Sequence, residues 1–305
     1  MIEFTDVQSS NDLDSLSPLQ PYLISFFGEI VDERGKATVG FLRSHSLAPI
    51  HLGYDFRKFE LFVNNTPWRI NQIDKYIRQV PAPRVLLDAT TLNSIELALI
   101  MRGYMDAQKS VEFDILYAEP GEYAPKRDES DASNNHAFEL STNLLEESYT
   151  VPGFKHLLKS DKEAHVIIVA GFEKERLGAL LNGIESHHIK ECTLIFGIPP
   201  FQPSMEIHSL MQNAPLLDNK TIQTIDFTGA NNPISTFRMI DSIKQSLGDN
   251  EVLELAPIGP KPSTLACALY AAHDKSVGLR YDFPKPAINR TVGIGRSCLY
   301  TALKS

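Results

Sequence analysis

The stretch Ala256–Ala272, APIGPKPSTLACALYAA, holds the residues whose types and spacing best suit a chemical task. Gly259 lets a backbone come close to a ligand. Lys261 supplies a point positive charge, and Ser263 and Thr264 supply hydroxyls where a helix is about to begin. A helix start directs unpaired amides and the positive end of its dipole at whatever sits before it. These parts suit a phosphate or another small anion. They do not make a P-loop, because GxxxxGK[ST] is absent. The competing reading is local, with Ser263 or Thr264 as an ordinary helix cap and Lys261 in water.

A second group, Asp88-Ala-Thr90-Thr91-Leu-Asn93-Ser94, sets an acid at a strand end and hydroxyls at a helix start. It can hold a ribose or a metal-bound water, and Thr91 or Asn93 can equally be a cap. Glu119, Glu122 and Glu173 are carboxylates at strand ends, the type that general acid–base work requires, but no catalytic set stands out. Gly293-Ile-Gly295-Arg296 reads as a turn of the tail or as an arginine fork closing over an anion. His187-His188 lacks a third ligand at metal spacing, and no GxSxG elbow occurs. Neither a metal nor a cofactor is expected.

The elements that must position these residues alternate. Residues 1–20 are polar and read as a loosely held leader. Residues 21–80 read as a β-rich N-terminal region: a hairpin of PYLISFFGEIV and TVGFLRS around Asp-Glu-Arg-Gly, a strand FELFVNN, and a closing helix in INQIDKYIRQV. From residue 81 to 305 short apolar runs alternate with helical stretches: RVLLD, a helix over 93–108, VEFDILY, HVIIVA, TLIF, IQTIDF, a helix over 234–247, Val252–Leu255, a helix over 265–272, and Val277–Tyr281. Residues 121–135 read as a long polar loop and 138–148 as a helix. Such alternation implies βαβ units, hence an α/β fold with a Rossmann-like, largely parallel sheet and helices on both faces. Ligands of such sheets bind beyond the carboxyl ends of the strands. The segments TLNSIELALIMRGYMDAQKSVEFDILYAEP and STLACALYAAHDKSVGLRYDFP echo each other. A duplicated half, or two βαβ units of one sheet, would both give that echo.

Composition narrows the partners. A net charge of −9 and a pI near 5.5 argue against an extended nucleic-acid footprint, which needs a basic face. The three cysteines form no CxxC pair and suit a reducing, cytoplasmic setting. The N-terminus lacks the apolar core of a signal peptide. No apolar run reaches the ~20 residues a membrane span needs.

At Lys261 a resemblance appears. The order strand, Gly259-Pro-Lys261-Pro-Ser-Thr264, then a small-residue helix is similar to the Gly-x-Thr-Lys motif of CARF domains, Rossmann-like sensors of cyclic oligoadenylates in prokaryotic antiviral systems. Pro260 stands where that motif has threonine, and no nuclease-like Arg-x4-6-His pair follows. The resemblance implies that Lys261 contacts a phosphate, that Thr90, Thr91, Asn93 and Ser94 face it, and that the chain pairs as a homodimer. The leading expectation is a sensor of a nucleotide or other phosphorylated small molecule in a defence system. One alternative is an enzyme using Asp88, Glu119 or Glu173 at the same cleft. The other is a scaffold with an exposed apolar patch near Phe26, Phe27 or Trp68.

Overall fold

The computed structural model describes residues 2–16, 18, 20–124, 138, 140–142, 144–154, 163–185 and 189–305. The chain begins with β1 (Ile2–Ser10), β2 (Ile24–Phe27), α1 (Glu33–His45), β3 (Pro49–Asp55), β4 (Glu60–Val63) and β5 (Thr66–Arg69). There follow α2 (Ile73–Ile77), β6 (Arg84–Asp88), α3 (Ser94–Ala107), β7 (Val111–Tyr123), β8 (Ser141–Thr142) and β9 (Tyr149–Thr150). Then come β10 (Glu163–Val169), α4 (Lys174–Glu185), β11 (Ile189–Gly197), α5 (Met205–Asn213), β12 (Thr224–Thr228) and α6 (Pro233–Ser246). The chain ends with β13 (Glu251–Pro257), α7 (Lys261–His273), β14 (Val277–Tyr281), β15 (Lys285–Pro286) and β16 (Thr291–Lys304). It packs as two units, residues 1–123 with 288–305, and residues 124–287, so the division does not fall at residue 81. The expected polar loop continues β7 through residue 123, and its part from 125 to 135 lies outside the described residues.

The first unit is an eight-stranded sheet ordered β1-β16-β7-β6-β2-β3-β4-β5. Its middle, β7-β6-β2-β3, is parallel, and the strands on either flank are antiparallel. β2 (ISFF) is buried along its whole length, as a strand covered on both faces must be. Phe26 and Phe27 are therefore core residues at 0% and 7% exposure, not a docking patch. α3 carries a capping box, in which the Asn93 side chain accepts from the amides of Ile95 and Glu96 and Glu96 accepts from the Asn93 amide.

Two expectations for this unit are corrected. The leader is a strand: β1 is mostly exposed and is held by its main-chain ladder to β16, which polar side chains do not oppose. The hairpin over 21–43 is instead a strand followed by a helix. Asp32 caps α1 by accepting from the Gly35 amide at 3.1 Å, and the buried residues Gly35, Thr38, Val39 and Leu42 recur at helical spacing.

The second unit is a six-stranded sheet ordered β12-β11-β10-β13-β14-β9, parallel except at β9. α4 packs with α5 and α6 with α7. Right-handed crossovers leaving β10 and β13 in opposite directions put these pairs on opposite faces. Residues 141–142 are a short strand, so the helix expected over 138–148 does not form there. Helix α7 starts at Lys261 itself, four residues before its expected start, so the lysine belongs to the first helical turn and not to the loop.

Both units share a central order. In β3-β2-β6-β7 and in β11-β10-β13-β14 the first strand lies beside the third, the second outside the first, the fourth outside the third. The two echoing segments occupy the same place, α3–β7 after β6 in one sheet and α7–β14 after β13 in the other. They are not two βαβ units of one sheet.

Candidate functional site

In the second unit the strand order switches between β10 and β13, and the strand ends at such a switch are where ligands of open α/β sheets bind. Two glycines let the loops after these strands come into contact. A Cβ on Gly259 would lie 2.4 Å from the Ala170 carbonyl oxygen, and one on Gly171 would lie 2.7 Å from that of Ile258. The Ser209 hydroxyl and the Asn213 amide donate to the Gly171 oxygen at 2.8 and 2.9 Å, which fixes that loop to α5. Pro260 packs on Gly197 at the end of β11, where a Cβ would meet Pro260 Cγ at 2.7 Å and Ala230 at 3.0 Å. Four strand-end loops thus converge beside α7. Gly259→Ala, which must push backbone apart, is expected to cost about 1–3 kcal/mol of stability in urea denaturation. A loss within experimental error would mean that the loops are loosely apposed.

The predicted anion-holding residues divide by environment. Lys261 is partly exposed and opens the 13-residue α7. Pro260 occupies the N-cap and provides no side-chain hydrogen bond, and because Pro260 and Pro262 lack an N–H, Lys261 and Ser263 carry the backbone amides at this positive end of the helix dipole. Ser263 is fully buried, and its hydroxyl has no hydrogen-bond partner. Thr264 is spent locally, its hydroxyl donating to the Lys261 carbonyl at 3.0 Å.

Sequence reasoning missed the brace beside this switch. Arg176, in the first turn of α4, makes two parallel bonds to Asp282, Nε to Oδ2 at 2.7 Å and Nη2 to Oδ1 at 2.8 Å. Its Nη1 reaches the Ile258 carbonyl at 3.4 Å, and its guanidinium lies 5.6 Å from the Tyr281 ring. Burial works to lower the Arg176 pKa, but the Asp282 carboxylate outweighs it and holds the group above the usual arginine range. Glu173 is also spent, accepting from the Leu140 amide at 3.1 Å and the Ser141 hydroxyl at 2.8 Å.

The Asp88 group is at the other sheet, at the matching switch between β2 and β6. The expectation that it shares one sheet edge with Lys261 is corrected: local strand patterns carry no information on which sheet a strand joins. Asp88 is fully buried and its oxygens are filled. Oδ1 accepts from the Thr90 amide at 2.9 Å, and Oδ2 from the hydroxyls of Thr38 at 2.8 Å and Thr91 at 2.7 Å. Burial raises the Asp88 pKa against the pull of those bonds. Thr91 in turn accepts from the Gly28 amide at 2.9 Å, and Thr90 from that of Ala118 at 3.0 Å. Asn93 is the α3 cap. These residues join the loops after β2 and β6 to each other and to β7.

Nearby, the buried pair Arg34–Asp32 at 2.7 Å also binds Thr291, whose hydroxyl donates to Asp32 at 2.8 Å. Gly293–Arg296 is not a tail turn but part of β16. Burial pushes the Glu119 carboxyl up to about 7, against the lowering effect of Arg296. Among the described residues no group of three or more His, Cys, Asp or Glu is placed to hold a metal ion, and His187-His188 lies outside them. The three cysteines are buried and unbridged. No helix among the described residues is long and apolar enough to cross a membrane.

No family model matches the chain, and no curated protein matches it. Among solved structures, a universal stress protein from Archaeoglobus fulgidus DSM 4304 is similar over 86% of this chain and 96% of that one, at 9% identity and a TM-score of 0.29.

Proposed function

We propose that the chain is a sensor that binds a small anionic ligand, a nucleotide or another phosphorylated molecule, at the β10/β13 switch. The observation that carries this reading is a helix start with no side-chain cap, set at a topological switch, bearing Lys261 and a buried Ser263 hydroxyl that lacks a partner. Phosphate oxygens would satisfy the hydroxyl and suit the positive end of the helix dipole. Binding without turnover is favoured because the nearby acids are already engaged, Glu173 by Leu140 and Ser141 and Asp282 by Arg176. The CARF-like order of residues around Lys261 extends the proposal to cyclic oligoadenylates, to a defence role and to a homodimer, which light scattering in solution checks.

A thermal-shift screen of ATP, ADP and cyclic oligoadenylates tests it. A ligand present at 100 times its Kd should add about 2.7 kcal/mol to the folded state, and Lys261→Ala should abolish that shift. Ser263→Ala should weaken the ligand yet leave the free protein as stable or about 1 kcal/mol more so, since it removes an unmatched hydroxyl. No shift with any of these nucleotides, or an equal shift in the lysine variant, rejects the proposal.

A further inference from the structure

The N-terminal unit also holds buried polar groups without a partner, one of them an acid in the second half of β7. Glu119 is 7% exposed, and its Oε1 has no hydrogen-bond partner. A buried carboxyl oxygen left unmatched lacks the bond such groups ordinarily make, and a donor carried by a ligand would supply it. The backbone around it is specially shaped. Gly295 and Arg296 of β16 together face the single residue Glu119, because Ile294 pairs with Pro120 and Ser297 with Ala118. Such a bulge re-aims the side chains beside it. A Cβ on Gly295 would lie 2.9 Å from the Pro120 oxygen and 3.4 Å from Glu119 Cβ, and one on Gly121 would lie 2.8 Å from the Val292 oxygen. The glycines let the two strands close, and Gly295 places no side chain against Glu119. Arg296 is exposed, yet near enough for its charge to act on the Glu119 carboxyl.

We propose that Glu119 and Arg296 form a second binding site, for a small ligand that carries an N–H donor together with an anionic group. Glu119 accepts from the donor and Arg296 takes the anion. A carboxylate only accepts, and a guanidinium fork only donates, so the two side chains read opposite ends of one molecule. The amino group and phosphate of an adenine nucleotide have that chemistry. A metal ion fits less well, since no further acid, histidine or cysteine completes a ligand set among the described residues. This site goes beyond the Lys261 reading and involves neither its residues nor its sheet.

Titration calorimetry at pH 7 with AMP and with purine riboside 5′-monophosphate, which lacks the amino group, tests the assignment. A hydrogen bond to a charged group implies that wild type binds AMP at least about tenfold more tightly than the analogue. Glu119→Met should bring the two within about twofold, and Arg296→Met, at an exposed position, should weaken both about tenfold. Equal binding of the two nucleotides by wild type, no binding of either at millimolar concentration, or a preference that persists in Glu119→Met overturns the proposal. Lys261→Met separates the two readings. A Glu119-dependent preference that survives in that variant upholds this site even if the Lys261 site binds nothing. A preference lost there but kept in Glu119→Met assigns the nucleotide to the other unit and overturns this one.

Discussion

Asp282→Ala is expected to lower the unfolding free energy at pH 7 by about 3–5 kcal/mol, because it strands a buried guanidinium. The Arg176 and Asp282 side chains are 11% and 1% exposed, and their two bonds are short and parallel. Without the carboxylate, Arg176 retains the Ile258 carbonyl at 3.4 Å and the Tyr281 ring among the described residues. Neither replaces an ionic partner out of water. Removing both charges is a different change: Arg176→Met with Asp282→Leu should recover most of the loss, since a packed apolar pair avoids the desolvation cost. Urea denaturation followed by circular dichroism measures both. The brace also has a functional reach, because Ile258 directly precedes Gly259 and the start of α7. Asp282→Ala should therefore weaken any nucleotide-induced thermal shift as well as stability. A destabilisation below about 1 kcal/mol would place the pair with ordinary exposed ion pairs and remove it as a brace.

That brace was not legible in the sequence, for a physical reason that applies to other features too. Arg176 and Asp282 are 106 positions apart, and no periodicity links a residue in a helix's first turn to one just past a distant strand. What was legible is what local chemistry dictates. RVLLD and HVIIVA are apolar runs of strand length, the helix capped by Asn93 shows its box as Asn-x-x-Glu, and the strand-to-helix rhythm implies parallel pairing. Asp32-Glu-Arg-Gly35 misleads because the same residues suit a turn and a helix N-cap. The 35, 38, 39, 42 spacing that decides for a helix is carried partly by glycine and threonine, which do not read as apolar. β1 and the first half of β16 hide for the opposite reason. Their side chains are largely exposed and their pairing is main-chain, so no hydrophobic pattern marks them. At the candidate site the residue types around Lys261 were readable. The assignment of the Asp88 loop to a different sheet was not, because strand order is a property of the whole chain.

Glu119→Gln should remove most of a pH dependence that the wild-type protein shows between about pH 4.5 and 7. The carboxyl is pushed up to about 7 from an ordinary 4.5, chiefly by burial, with Arg296 opposing. Between those values the folded chain holds a proton that the unfolded chain has released. Stability therefore falls as pH rises through this window, and the effect is complete above pH 7. A rise of that size corresponds to about 3 kcal/mol. Below pH 4.5 both states carry the proton and the group contributes no slope. Wild type and Glu119→Gln should accordingly differ least near pH 4 and most near pH 8, where the variant is the more stable. Urea midpoints measured from pH 4 to 8 on both proteins check this, and parallel curves would show that the Glu119 carboxyl is hydrated in the folded chain. The same experiment with saturating AMP sharpens the point. A ligand that donates to the Glu119 carboxylate stabilises its charged form and lowers its pKa, so bound wild type should lose its slope over the same interval while the variant is unaffected.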